Sequence, residues 1–227
     1  MAKKVQVAID GPAGAGKSTV ARAAAEALGY TYIDTGAMYR AVAYRALKAG
    51  LAVDTHAAEI GQMAGRMHFE FRVVDGERRL FVDGEDVSGP IRTPQVGNLS
   101  SPVSAIPQVR EHLVAAQRSM CSEGGTIMEG RDIGTVVLPD AQVKIFLTAT
   151  PQERARRRQQ QLRDQGIDQD YDQILKDILE RDQRDSTRAV APLRKAEDAV
   201  EIVTDGMERE QVVAKVCELV REAEAKA

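Results

Sequence analysis

Cysteine, histidine and aromatic side chains are scarce in this chain of 227 residues: two Cys, three His, no Trp, and 4% aromatics overall. Cys121 and Cys217 lie far apart and form no C-x-x-C, so both are expected as reduced core or half-buried thiols in a cytoplasmic protein. His56, His68 and His112 show no metal-ligand spacing and are expected to be surface or internally satisfied histidines. No apolar run reaches bilayer length, and Met1 leads directly into the strand-like "KKVQVAID", so neither a membrane span nor a secretory leader is expected. The formal net charge of -3 argues against a general nucleic-acid-binding cation. What remains is ordinary for a globular protein, with 43% hydrophobic and 29% charged residues. The length predicts one large domain, or a core with small insertions.

Apolar runs and turn signals order the chain. "VQVAI" (5–9) is a short β-branched strand, followed by a helix over 17–28 that Gly29 ends. "YTYID" predicts a strand and "AMYRAVAYRALKAG" a helix closed by Gly50, with another helix over 56–66. The texture then changes. "HFEFRVVDGERRLFVDGEDV" alternates apolar and polar residues around Asp75-Gly76 and Asp83-Gly84, which predicts antiparallel hairpins inserted at 66–98. Residues 102–122 read as one helix, "GTIMEG" and "AQVKIFLTA" as strands, 151–163 and 170–185 as helices, "DAVEIVTDG" as a strand and 208–225 as a closing helix. Alternating β and α segments imply a parallel sheet with helices on both faces.

The stretch "DGPAGAGKST" carries the most specific chemistry. Gly11, Gly16, Lys17 and Ser18 fit G-x-x-x-x-G-K-[ST], between a predicted strand and a predicted helix. Glycines let backbone N–H groups turn inward around phosphate, and the helix start aims its free N–H groups and positive end at the same point. Gly11, Pro12, Ala13, Gly14, Ala15, Gly16, Lys17, Ser18 and Thr19 are therefore the expected ATP or GTP contacts. Lys17 would reach the β and γ phosphates, and the Ser18 hydroxyl would ligate Mg²⁺. A chance match in a chain this long is on the order of one in a hundred.

The arginines separate the nucleotide-binding classes. "QERARRRQQQLR" places Arg154, Arg156, Arg157, Arg158 and Arg163 on one helix. Such a helix can be a solvated face with snorkelling stems, a nucleic-acid patch, or a lid that closes over ATP. No aromatics interleave with these arginines, which weakens the nucleic-acid reading. In "ERDQRDSTR", Arg181, Arg184 or Asp185, and Arg188 recur at helical spacing, and their bland reading is an i,i+4 pair such as Arg181 with Asp185. Thr35, Arg40, Arg131 and Asp132 follow predicted strands, at the end where parallel sheets hold ligands, so they are expected to face the phosphate loop. A switch GTPase should carry N-K-x-D, and none is present. A kinase for a neutral metabolite would not call for so many arginines away from the loop. A kinase whose acceptor is itself phosphorylated fits the count.

The chain resembles the bacterial cytidylate kinases. The residues that carry the resemblance are "IDGPAGAGKST", "DTGAMYRA", "GEDVSGPIRT", "PQVRE", "EGRDIGTVVLPDA", "KIFLTA", "RRRQQQL" and "ERDQRDSTRAVAPL", across nearly the whole length. "GRDIGTVV", "RDSTRAVAPL" and "GEDVSG" are far more specific than the phosphate loop. The resemblance implies ATP-dependent phosphorylation of CMP and dCMP with Mg²⁺, by a cytoplasmic monomer without nucleic-acid or membrane partners. It implies an α/β three-layer P-loop kinase with a five-stranded parallel sheet. The single domain 1–227 would comprise a core (1–65, 99–150 and 170–227), a monophosphate-binding β insertion (66–98) and an arginine-rich lid (151–169). It further implies that Arg40, Arg131 and Arg181 grip the acceptor phosphate or sit near it, and that Ser101, Arg181 and Asp185 contact the sugar. Thr35, Arg110, Asp132 and Arg188 would read the base. Lys17, Arg131, Arg181 and Arg158 would act in catalysis, and Glu129 or Asp34 would orient waters on the metal.

Overall fold

Two features shape the start of the chain: a strand that is buried on both faces, and a glycine just past its end. In the computed structural model, which describes residues 4–121 and 125–227, β1 (Gln6–Asp10) is central and all but its first residue are buried. It pairs in parallel with β6 (Thr126–Gly130) on one side and β7 (Val143–Thr148) on the other. β8 (Val200–Val203) adds to β7, and β2 (Thr31–Asp34) completes a five-stranded sheet in the order β2-β6-β1-β7-β8. Burial of a parallel sheet on both faces explains why these strands read as apolar runs without alternation. The helices of this part are α1 (Lys17–Leu28), α6 (Pro151–Asp164), α7 (Tyr171–Thr187) and α8 (Arg209–Lys226). Val20, Ala21, Ala24 and Ala25 of α1 and Val212, Val216 and Val220 of α8 pack on Val7, Ile9, Ile127, Ile145 and Leu147.

The chain divides into two units, one of residues 1–32 and 123–227, the other of residues 33–122. The second contains α2 (Thr35–Lys48), α3 (Ala57–Ala64), α4 (Pro94–Ser104) and α5 (Pro107–Ser119) with its own core, including Met38, Val42, Ile60, Leu80, Val82, Val103 and Leu113. Its small antiparallel sheet is β3 (Phe69–Val74), β4 (Glu77–Val82) and β5 (Glu85–Asp86). Asp75 and Asp83 take positive φ before Gly76 and Gly84, so both Asp-Gly pairs turn as their sequence predicts. Among the described residues no helix is long and apolar enough to cross a membrane.

Several boundaries differ from expectation; the strands of the insertion end at Asp86, and α4 starts at Pro94, inside the span expected as hairpins over 66–98. The single helix anticipated over 102–122 is two helices, because Ile106 precedes Pro107 and sits at φ -71, ψ 118, outside the helical region. Its last residue, 122, lies outside the described residues, as do residues 1–3 before β1. Helix α2 begins at Thr35, two residues early, because the Asp34 carboxylate accepts from the Ala37 N–H and caps it. Helix α7 ends at Thr187, so Arg188 stands just past the helix in extended geometry rather than on its face.

Gly11 follows β1 at φ +150, and a Cβ there would lie 1.9 Å from the Leu147 carbonyl oxygen of β7. The backbone therefore turns off the sheet where no side chain fits. Gly11→Ala should cost about 3 kcal/mol or more, from overpacking added to backbone strain. Urea unfolding monitored by circular dichroism would show it as a lower midpoint at unchanged m-value, and a wild-type midpoint would refute the close approach.

Candidate active site

The phosphate loop is built on glycine conformations. Gly14 and Gly16 take φ of +78 and +90, and Gly16 stands at the N-cap of α1 in left-handed geometry with no side-chain cap bond. A glycine cap supplies no acceptor to the first turn of the helix, so its N–H groups and the helix dipole are left for an anion. Lys17 is 5% exposed and donates from Nζ to the Pro12 carbonyl at 2.7 Å, which folds it back across the loop. Ser18 and Thr19 are exposed in the first turn.

Burial, and after it the nearby Arg131 guanidinium, push the Lys17 ammonium down to about 7, with Arg181 acting in the same direction and Glu129 and Asp10 opposing. Cations from α1, from the turn after β6 and from α7 are thus near enough to repel one another. A ligand carrying several negative charges would relieve that repulsion.

The turn after β6 is held by a residue that sequence reasoning passed over. Asp10, the last residue of β1, is 5% exposed, and its carboxylate accepts from Ile133 N at 2.8 Å and Gly134 N at 2.7 Å. The single wide turn Ile133–Val137 is anchored there, which sets the direction in which Arg131 and Asp132 leave the sheet. A buried polar residue directly before a glycine-rich loop was the available signal. Glu129 of β6 is also buried, and the Tyr32 hydroxyl donates to it.

Helix α7 supplies the counter-charges. Asp185 is buried and accepts from Arg131 Nε at 3.0 Å. Burial pushes its carboxyl up, but Arg131, Arg181 and Arg188 together outweigh that and hold it below the usual carboxylate range. The anticipated Arg181–Asp185 contact is therefore one part of a wider cluster in which Arg131 also donates to Asp185. Arg188 donates to Asp132 Oδ1 at 3.4 Å and to the Ala191 carbonyl at 2.7 Å. The arginines of α6 behave differently from one another. Arg154 is buried, Arg156 and Arg157 both donate to Glu153, and Arg158 is exposed and donates to Gln161. Hydrogen bonds from Arg156 and Arg157, working against burial, bring Glu153 down to about 2.

In the second unit the expected residues form two groups. Asp34, besides capping α2, pairs with Arg40 at 2.9 Å, so its carboxylate is committed within this unit. Arg110 of α5 is 4% exposed, donates to the Ser104 carbonyl at 3.3 Å and lies over the Tyr39 ring at 5.6 Å. Tyr39 was not anticipated. Thr35 is buried at the start of α2, and Ser101, half-buried, lies on α4. Among the described residues no group of three His, Cys, Asp or Glu is placed to hold a metal ion. Magnesium held by one hydroxyl, waters and phosphate oxygens needs no such group, and the exposed Ser18 hydroxyl beside the anion-directed helix start fits it.

Comparison with known proteins agrees with this chemistry. The family model described as cytidylate kinase matches residues 7–222. The chain belongs to the cytidylate kinase family. It is 50% identical over 217 residues to the cytidylate kinase of Caldicellulosiruptor bescii, covering 96% of each chain. It is 51% identical over 211 residues to that of Pelotomaculum thermopropionicum, covering 92% of this chain and 93% of the other. Among solved structures, a shikimate kinase from Bacteroides thetaiotaomicron shares the fold, with a TM-score of 0.50 at 15% identity over 96% of this chain and 98% of that one. As a cytidylate kinase family member, the chain has the α/β architecture that its alternating strands and helices imply.

Asp10 yields a pH test. Burial raises its carboxyl from 3.8 to about 6, against the pull of its two N–H donors. The folded state therefore holds a proton that the unfolded chain releases between those values, so this contribution to stability grows as pH falls and is lost as pH rises through about 6. Asn cannot titrate. The stability gap between wild type and Asp10→Asn should widen by about 2 kcal/mol from about pH 7 to about pH 4.5. Denaturant titrations of both proteins measure it, and a gap constant over that range would show that Asp10 keeps its charge there.

Proposed function

We propose that this protein transfers the γ-phosphoryl group of ATP to CMP and dCMP, giving CDP and dCDP. The observation that carries this reading is the convergence of Lys17, Arg131 and Arg181, in a chain of the cytidylate kinase family, at the mouth of a glycine-capped phosphate loop. Residues 11–19 hold the ATP phosphates. When bound, Mg²⁺ would sit on the Ser18 hydroxyl and neutralise charge on the transferring phosphates. Lys17 exchanges its Pro12 carbonyl for phosphate oxygens, a contact in which the charged ammonium is favoured. The acceptor is already a phosphate anion, so no general base is required. Positioning and charge stabilisation carry the reaction.

In the first unit Arg131 and Arg181 grip the acceptor phosphate, Asp185 takes a sugar hydroxyl, and Asp132 with Arg188 reads the base. In the second unit Arg40 serves the phosphate, Ser101 the sugar, and Thr35 and Arg110 the base. Residues 66–98 are assigned as the monophosphate-binding insertion and 151–169 as the lid within one kinase domain. The small apolar contact of Ala155, Leu162 and Ile174 that joins α6 to α7 suits movement of the segment beyond the first turn of α6, and exposed Arg158 is the lid residue assigned to reach the phosphates on closure. We place the enzyme in the cytoplasm as a monomer.

A coupled assay of ATP against CMP, dCMP, UMP, AMP and GMP tests the assignment; equal or greater turnover with a purine acceptor would overturn it. Lys17→Ala should lower kcat by about a hundredfold or more while leaving the thermal melt near that of wild type. Turnover within about twofold of wild type would remove Lys17 from phosphate binding.

Asp132 supplies a further test. A carboxylate accepts from cytosine N4, where uracil presents a carbonyl, and one mismatched polar contact costs about 1–3 kcal/mol in a buried site. Asp132→Ala should therefore narrow the ratio of kcat/KM for CMP over UMP by about tenfold. An unchanged ratio favours the other role its geometry allows, as a buried partner of Arg188.

A further inference from the structure

Arg154 is 3% exposed, yet the phosphate-loop motif does not include it and none of the acceptor roles above uses it. Each nitrogen of its guanidinium donates a hydrogen bond. Nε donates to the Ala149 carbonyl at 3.0 Å, Nη1 to the Ala13 carbonyl at 3.1 Å and to Asp182 Oδ1 at 3.0 Å, and Nη2 to Asp182 Oδ2 at 2.5 Å. Ala13 belongs to the phosphate loop. Asp182 belongs to α7, next to Arg181 and one turn before Asp185. A buried ion pair of this kind is poor evidence for stability, since apolar side chains of similar volume do as well or better. Its geometry has a more specific consequence. The peptide joining Ala13 to Gly14 is planar and trans, so fixing the Ala13 carbonyl toward Arg154 fixes the Gly14 N–H in the opposite direction. Gly14 sits at φ +78 with Arg154 Cβ 3.4 Å from where its own Cβ would be, so the arginine stem lies against this peptide as well.

We propose that Arg154 and Asp182 are positioning residues that orient the Ala13–Gly14 peptide of the phosphate loop and tie it to the helix carrying Arg181 and Asp185. The first turn of α6 acts as the link. Thr150, its N-cap, is held by Asp205, and Arg157 is held by the Thr204 side chain and carbonyl, so the base of the helix is pinned to the turn after β8. The relay rests on the ATP-site reading of the loop, and it assigns the Gly14 N–H to a phosphate oxygen. Lysine at 154 keeps the charge but lacks the planar fork that reaches a carbonyl and both carboxylate oxygens together.

The test compares wild type, Arg154→Lys, Asp182→Asn and the double variant by calorimetric titration with MgATP in the absence of acceptor, beside thermal melts. Each single change should weaken ATP binding by about tenfold, the loss of one charge-assisted hydrogen bond. Asp182, with a side chain 26% exposed, is the substitution least able to disturb folding. Its melting midpoint should stay within about 5 °C of wild type. Because the two residues act as one unit, the double variant should bind ATP no more than about threefold more weakly than the weaker single variant. Unchanged ATP affinity in the singles, or losses that multiply in full in the double, would overturn the relay. Failure of the wild type to bind ATP would instead overturn the ATP-site reading, and tight ATP binding without transfer to CMP would overturn only the acceptor assignment.

Discussion

Cations brought close enough to neutralise a polyphosphate repel one another when the polyphosphate is absent, and the first unit of this protein is organised around that repulsion. Lys17, Arg131 and Arg181 act on each other strongly enough, with burial, to bring the lysine down to about 7. Water screens little in a buried site. Carboxylates hold the surrounding arginines in place, two of them from α7 and one from the turn after β6. Asp185 takes Arg131, Asp132 takes Arg188, and Asp182 takes Arg154. The acidic residues are thus as much a part of the site as the arginines, because an arginine without its partner would turn toward solvent.

Asp10 has a different task. It uses its charge on two backbone N–H groups, with a smaller attraction to Lys17, and so sets the path of the turn that carries Arg131 and Asp132. The ends of two neighbouring parallel strands, β1 and β6, are joined at the level where both release their loops. The cost of burying this carboxyl appears as its raised ionisation near 6. A carboxylate placed so deep, one residue before the glycine that touches Leu147, leaves little freedom in how the phosphate loop departs from the sheet.

The second unit solves a related problem with different means. Arg110 is buried against the Tyr39 ring and a backbone carbonyl. Aromatic and carbonyl contacts orient a guanidinium without neutralising its charge. Arg40, by contrast, is paired with Asp34, whose other oxygen caps α2.

Much of this was legible in the chain itself. The strand–loop–helix around Gly11 to Thr19, the Asp-Gly hairpins and the alternation of strands with helices depend on local rules: glycine's access to positive φ, turn chemistry and hydrophobic period. Those rules act over a few residues, so the sequence by itself determined the α/β class, the phosphate loop and the arginine-rich helices. The break between α4 and α5 was also written locally, in Ile106-Pro107, but the helical period on either side masked it. Which arginine meets which carboxylate was not legible. Arg131 and Asp185 are 54 positions apart, Arg154 and Asp182 are 28 apart, and Arg154 reaches Ala13 across 141. Spacing within α7 placed Arg181 beside Asp185, a charge contact the structure keeps, but it could not reveal Arg131 as a donor to Asp185, and on α6 it gave Arg154 no distinction from its neighbours. Only the tertiary structure decided these pairings, because charges interact through space, and the register of the sheet and the packing of α6 on α7 set the distances.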